Sequence, residues 1–161
     1  MKKLICNIGS IVLGFFASAM LFVPMFDVKY TSGSSSMFAD HAFHIFKSPY
    51  VGSEGYNDIF RIIAMYIALI TIAAFILLAI TTIIGFFVKN NSTIAIVKKV
   101  LALVLIFTAI LFVFASIVFM LQNVVESSMM KLNITVSNWF AFLSVAIGFI
   151  VSSILSMCAK N

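Results

Sequence analysis

Charge is what this chain most lacks. Only 9% of its 161 residues are charged, against 63% hydrophobic, and mean hydropathy is +1.21. A soluble domain covers its surface with about 25% charged residues. The composition therefore predicts a single membrane-embedded domain. Proline is scarce as well: of the two present, neither Pro24 nor Pro49 breaks an apolar run at mid-span. The discontinuous helices of many transporters are thus not expected. No Asp, Glu, Lys, Arg or His lies near the middle of any apolar run. Such residues mark ion and proton pathways, and their absence argues against a proton-coupled pump.

The two cysteines, Cys6 and Cys158, both avoid the long polar segment, so no disulfide framework is implied. A glycine-rich phosphate loop, a His-Glu-x-x-His pair and a nucleophile elbow are all missing. Serine and threonine are plentiful in the apolar runs, but no histidine accompanies them at depth to act as a base. Neither an enzyme nor a cofactor is expected. The net charge of +5 does not point to nucleic acid, because the basic residues sit at the ends of apolar runs, as membrane proteins place them.

Four apolar runs are present, at about 4–26, 59–88, 93–122 and 138–158. Each reaches the roughly 20 residues that a crossing needs. The first follows Met1-Lys2-Lys3 and contains Ala17-Ser18-Ala19, which resembles a signal cleavage site. It continues through Met20-Leu21-Phe22-Val23, so an uncleaved first span is expected. The second, from Ile59 to Val88, is long enough to tilt or protrude, which places Arg61 outside the hydrocarbon.

The loops 27–58 and 123–137 separate the runs. The longer carries four of the five acids and both histidines. In it, Val28 and Tyr30 fit a short strand after Asp27, followed by a serine-rich turn. Met37 to Lys47 reads as a short amphipathic helix: Asp40, His41, His44 and Lys47 share one face, opposite Phe38, Ala42, Ile45 and Phe46. Gly52 and Gly55 return the chain, with Asn57 or Asp58 capping the next helix. In the shorter loop Leu132, Ile134 and Val136 alternate with polar residues, a weak strand signal. Asn133-Ile134-Thr135 is a glycosylation sequon, meaningful in a eukaryotic source.

Orientation follows from the positive-inside rule. With the N-terminus in the cytoplasm, Lys2, Lys3, Lys89, Lys98, Lys99 and Lys160 lie inside without any acid. All five acids lie outside with Lys29, Lys47, Arg61 and Lys131. Trp139, Tyr30, Tyr50 and Tyr56 gather towards the outer interface. Both termini are expected to be cytoplasmic, in a multi-pass protein of the plasma membrane.

Small residues four apart, Ser10, Gly14 and Ser18 in the first run and Ser144, Gly148, Ser152 and Ser156 in the fourth, predict close packing of those helices. Ala102, Ala109 and Ser116, seven apart, suit a left-handed crossing in the third. Asp58 and Arg61, one turn apart, are placed to pair. Asp40, His41 and His44 are the best candidate metal ligands, with Met37 one turn before and Met129 and Met130 in the other loop. Two histidines fall short of the three or four ligands of a stable site. The other reading of Asp40, His41, His44 and Lys47 is a solvated, partner-binding face.

The layout of four spans, cytoplasmic termini, a long first outer loop and a short second one resembles the claudin and tetraspan-type arrangement. The resemblance covers the topology of the whole chain. Claudins carry a tryptophan and a cysteine pair in the first outer loop. This loop has neither, the single tryptophan being Trp139, so no residue role is carried over.

The expected fold is an all-α four-helix transmembrane bundle with a short amphipathic helix in the first extracytoplasmic loop. The expected function is that of a non-enzymatic accessory or structural subunit. Its partners would be the bilayer and another membrane protein or a copy of itself. An oligomeric channel or transport component, and an extracytoplasmic metal-binding or sensing protein, are the alternatives.

Overall fold

The computed structural model describes residues 2–32, 41–47, 58–88, 92–123, 125–126 and 130–159. Four helices, α1 (Lys2–Met20), α2 (Ile59–Phe87), α3 (Ser92–Gln122) and α4 (Trp139–Cys158), run up and down. Each is long and apolar enough to cross a bilayer, and the protein is membrane-embedded. Four strands lie at one end: β1 (Phe26–Ser32), β2 (His41–Phe43), β3 (Val125–Glu126) and β4 (Met130–Val136).

Heptad spacing organises the bundle. Buried positions in α2 include Arg61, Ala64, Ala68, Thr71, Phe75, Leu78 and Thr82, with Ala74 and Ala79 flanking them. In α3 they include Lys98, Ala102, Leu105, Ala109, Phe112, Ser116 and Phe119, flanked by Thr108 and Ala115. Alternating steps of three and four average 3.5 residues, the spacing that keeps a seam facing its partner in a left-handed crossing. The same steps recur at Asn7, Ser10, Gly14, Ala17 and Leu21 in α1, and at Phe142, Val145, Phe149, Ser152 and Ser156 in α4. The helices pack in the order α2–α3–α4–α1, and a lighter contact closes α1 onto α2. Large apolar side chains between the seams, such as Ile70, Leu77, Leu103 and Phe107, face outward. In lipid that exposure costs nothing.

Several hydroxyls inside the bundle bond back to their own helix: Thr71 Oγ1 to the Ile67 carbonyl at 2.7 Å and Ser153 Oγ to that of Phe149 at 2.8 Å. This satisfies the donor without a partner helix, which a membrane interior favours.

The first helix ends sooner than the apolar run does. Leu21, Phe22 and Val23 donate to the carbonyls of Ser18, Ala19 and Met20, three residues back. Pro24 then removes a donor and the chain turns. Met25 next joins the sheet: its N–H donates to the Phe43 carbonyl at 3.1 Å, and its own carbonyl accepts from Ser137 at 2.9 Å.

The expectation of an all-α fold is corrected by that sheet, ordered β2-β1-β4-β3 with all pairs antiparallel. It joins the two polar loops. β1 pairs with β4 from Phe26 opposite Val136 to Ser32 opposite Met130. The strand expectations for Val28 and Tyr30, and for Leu132, Ile134 and Val136, agree with this. The amphipathic helix expected from Met37 to Lys47 is not what the described part shows. His41–Phe43 is a strand on β1, and His44–Lys47 is a turn closed by Lys47 N–H to the His44 carbonyl at 3.0 Å. Period two wins because Phe43 and Ile45 both bury, at 4% and 0% exposure. A strand here also uses backbone groups of β1 that a helix would leave unpaired. Residues 37–40 lie outside the described residues, as do the serine-rich turn, Gly52 and Gly55.

Candidate functional site at the sheet-bearing end

The sheet is bolted to the bundle by aromatic rings. Phe26 from β1 is fully buried. Its ring centroid lies 5.5 Å from Phe43 of β2, 6.1 Å from Phe119 of α3 and 6.2 Å from Phe142 of α4. The last two contacts are edge-on, a favoured geometry for aromatic pairs. Val28, Ile134 and Val136 bury beside it. The inner face of the cap is thus continuous with the bundle core.

A second fastening is polar. Arg61, in the first turn of α2, is only 6% exposed. Its Nε and Nη2 donate to the two carboxylate oxygens of Asp58, at 2.5 and 2.6 Å. Its Nη1 donates to the Ile45 carbonyl at 2.8 Å. A planar guanidinium is suited to this fork. Asp58 holds the N-cap position of α2 but makes no side-chain cap bond, because its carboxylate serves Arg61 instead. The pairing of Asp58 with Arg61 expected from sequence is present. The bond to Ile45 was not legible, since it depends on where the turn after β2 ends. At α4 the cap is conventional: Asn138 Oδ1 accepts from Ala141 N–H at 3.0 Å.

Beside this fastening sits His44. It is half buried, with its ring 6.4 Å from that of Phe46, which stacks on Phe22 at 5.0 Å. Its Nδ1 is buried and makes no hydrogen bond. Lys47 is exposed three residues on. His44 and Lys47 therefore share a turn, rather than a helix face. The backbone of His41 is in β2 opposite Val28. Asp40, Met37 and Met129 lie outside the described residues, as does the side chain of His41, so the candidate metal set of Asp40, His41 and His44 falls outside what the structure describes. Among the described residues no group of three metal-ligating side chains occurs. Asn133 of the sequon is exposed on β4, opposite Lys29.

The small residues of α1 and α4 separate into two kinds. Ser10 and Ser152 meet directly: their hydroxyls are 3.2 Å apart, and Ser152 Oγ also donates to the Ser10 carbonyl at 2.7 Å. A Cβ on Gly148 would stand 2.8 Å from that of Ala17. Gly14 instead faces α2, where a Cβ would run into the Phe75 ring. Ser18 is half buried and donates to the Gly14 carbonyl at 2.8 Å. Ser144 lines an outward apolar cleft of about 300 Å³ between α1 and α4, with Leu13, Phe16 and Ile147. Ser156 is buried with an unpaired hydroxyl. A scan against protein-family models found no match to this chain, and neither did a search of curated proteins.

Proposed function

We propose that the chain is a non-enzymatic membrane subunit that presents its sheet to a partner protein on the extracytoplasmic side. The observation that carries this reading is the double fastening of the cap, by the Phe26 cluster and by the Arg61 fork. A surface held this firmly loses little conformational freedom on binding, which favours recognition. The partner-facing candidates are His44 and Lys47 on the turn, with Asp40 and His41 adjoining them in sequence.

The orientation belongs to the same proposal. The sheet-bearing end carries the acids and faces outward, and both termini face the cytoplasm of a cell bounded by its plasma membrane. The partner is another membrane protein or a second copy of the chain.

Site-directed photo-crosslinking in cells tests the reading. A photoreactive residue in place of Lys47 is expected to give a discrete adduct with one protein. The same residue in place of the lipid-facing Phe107 is expected to give none. Adducts from Phe107 alone would refute it. A ladder of self-adducts from Phe107 would favour an oligomeric channel instead.

A further inference from the structure

Inside the bundle, near the end opposite the sheet, Lys98 Nζ donates to Asn7 Oδ1 at 2.5 Å. The bond runs from α3 to α1, across the diagonal of the bundle. Lys98 is 6% exposed and Asn7 3%. Lys98 is the seventh residue of α3, so it sits about 9 Å along the axis from that helix's start.

The other two helices bring a hydroxyl each to this level. Ser10 lies against Ser152, and Gly9 against Leu155, which sets Asn7 level with Ser156. Gly85 lies against Ile94, which sets Thr82 level with Lys98. Thr82 and Ser156 are both almost fully buried, and neither hydroxyl has a hydrogen-bond partner. One layer of the bundle therefore carries a polar residue from every helix, with the Ser10–Ser152 pair one step above it.

The chemistry of the layer is one-sided. The one carboxamide oxygen is already used by Lys98. What remains are the ammonium N–H groups, the Asn7 amide N–H groups and two hydroxyls, which donate as well as accept, so donors outnumber the groups that can only accept. All five acids fall in the segments joined at the sheet-bearing end, while Lys2, Lys3, Lys89, Lys99 and Lys160 lie in sequence at this one. A buried ammonium with a neutral partner and no carboxylate is costly unless an anion compensates it.

We propose that Lys98, with Asn7, Thr82 and Ser156, binds a halide-sized anion inside the bundle. Lys98 supplies the charge, and Asn7 fixes the ammonium in place. Thr82 and Ser156 donate from opposite sides of the layer.

The test uses full-length protein in nanodiscs of neutral phosphatidylcholine. Thermal unfolding is followed in sodium chloride, bromide and gluconate at equal ionic strength, with chloride-35 NMR line broadening as a direct measure of binding. Chloride and bromide are expected to raise Tm over gluconate, and chloride to broaden. K98M is expected to lose both responses. T82V, which keeps the shape and deletes the hydroxyl, is expected to weaken chloride binding by about tenfold. The T82V comparison decides the matter should K98M fail to fold. A wild-type Tm indifferent to the anion, or T82V binding chloride as tightly as wild type, would overturn the proposal. Stabilisation by anionic phospholipid in gluconate, with no halide response, would overturn it too and point to a headgroup phosphate.

Discussion

Gly148 of α4 lies directly against Ala17 of α1, so closely that a Cβ on the glycine would stand 2.8 Å from the alanine's. Both atoms are near the backbone, so no side-chain rotation can relieve the overlap. Gly148→Ala should therefore cost about 1–3 kcal/mol through overpacking. Ser144→Ala, at the outward cleft, should cost little. Reversible unfolding in mixed micelles checks the contrast, and equal effects would contradict the packing described.

Phe26→Ala tests the aromatic fastening. The ring is fully buried against Phe43, Phe119 and Phe142. Its loss should cost about 3–5 kcal/mol. Hydrogen exchange should quicken throughout β1, β2 and β4 while the central turns of α2 and α3 stay protected. Uniform loosening of sheet and helices would show that the cap is not a separable layer.

Arg61→Met removes the polar fastening. It strips Asp58 of its fork and leaves the Ile45 carbonyl without this donor. Leaving buried polar groups unmatched should cost about 1–3 kcal/mol. The turn from His44 to Lys47 should exchange faster, and β4 should not. Arg61→Lys should recover only part of the loss, since an ammonium cannot reproduce a planar fork.

Orientation is tested by single cysteines in a background without Cys6 and Cys158. Asn133→Cys on the exposed face of β4 should react with an impermeant thiol reagent on intact cells. Ser92→Cys, exposed at the start of α3, should react only after permeabilisation. The reverse pattern would invert the protein in its membrane.

Much of the fold was legible in sequence because lipid demands long uninterrupted helices. The strands at Val28 and at Leu132, Ile134 and Val136 showed through their alternation. The segment after His41 did not, because Asp40, His41, His44 and Lys47 fit a helix face as well as they fit a strand and turn. Only the pairing of Phe26 with Phe43 decides between them, and that is a long-range contact.

The small-residue stripes marked the close approach of α1 and α4, through Ser10 against Ser152 and Gly148 against Ala17, but not the partner of every member. Residues four apart on a helix of 3.6 residues per turn rotate by about 40° at each step. Ser10, Gly14 and Ser18 therefore drift by about 80° across the face of α1. The buried seam follows alternating steps of three and four through Asn7, Ser10, Gly14 and Ala17, and Gly14 turns towards Phe75 instead. Lys98 reads in the sequence as one more lysine near a helix start, which is where it lies, but its burial is not legible there. Its burial depends on Asn7, a polar residue in an apolar run whose position matters only once α1 and α3 are set on the diagonal.

The central claim, that a rigid cap on a solid bundle serves a partner, is tested most directly by native mass spectrometry. The material is wild-type protein extracted gently from its own membrane, beside a variant carrying His44→Ala and Lys47→Ala. The account predicts a stoichiometric foreign chain, or a dimer of this one, with wild type, and its loss from the variant. A closed homo-oligomeric ring that survives both substitutions would contradict it.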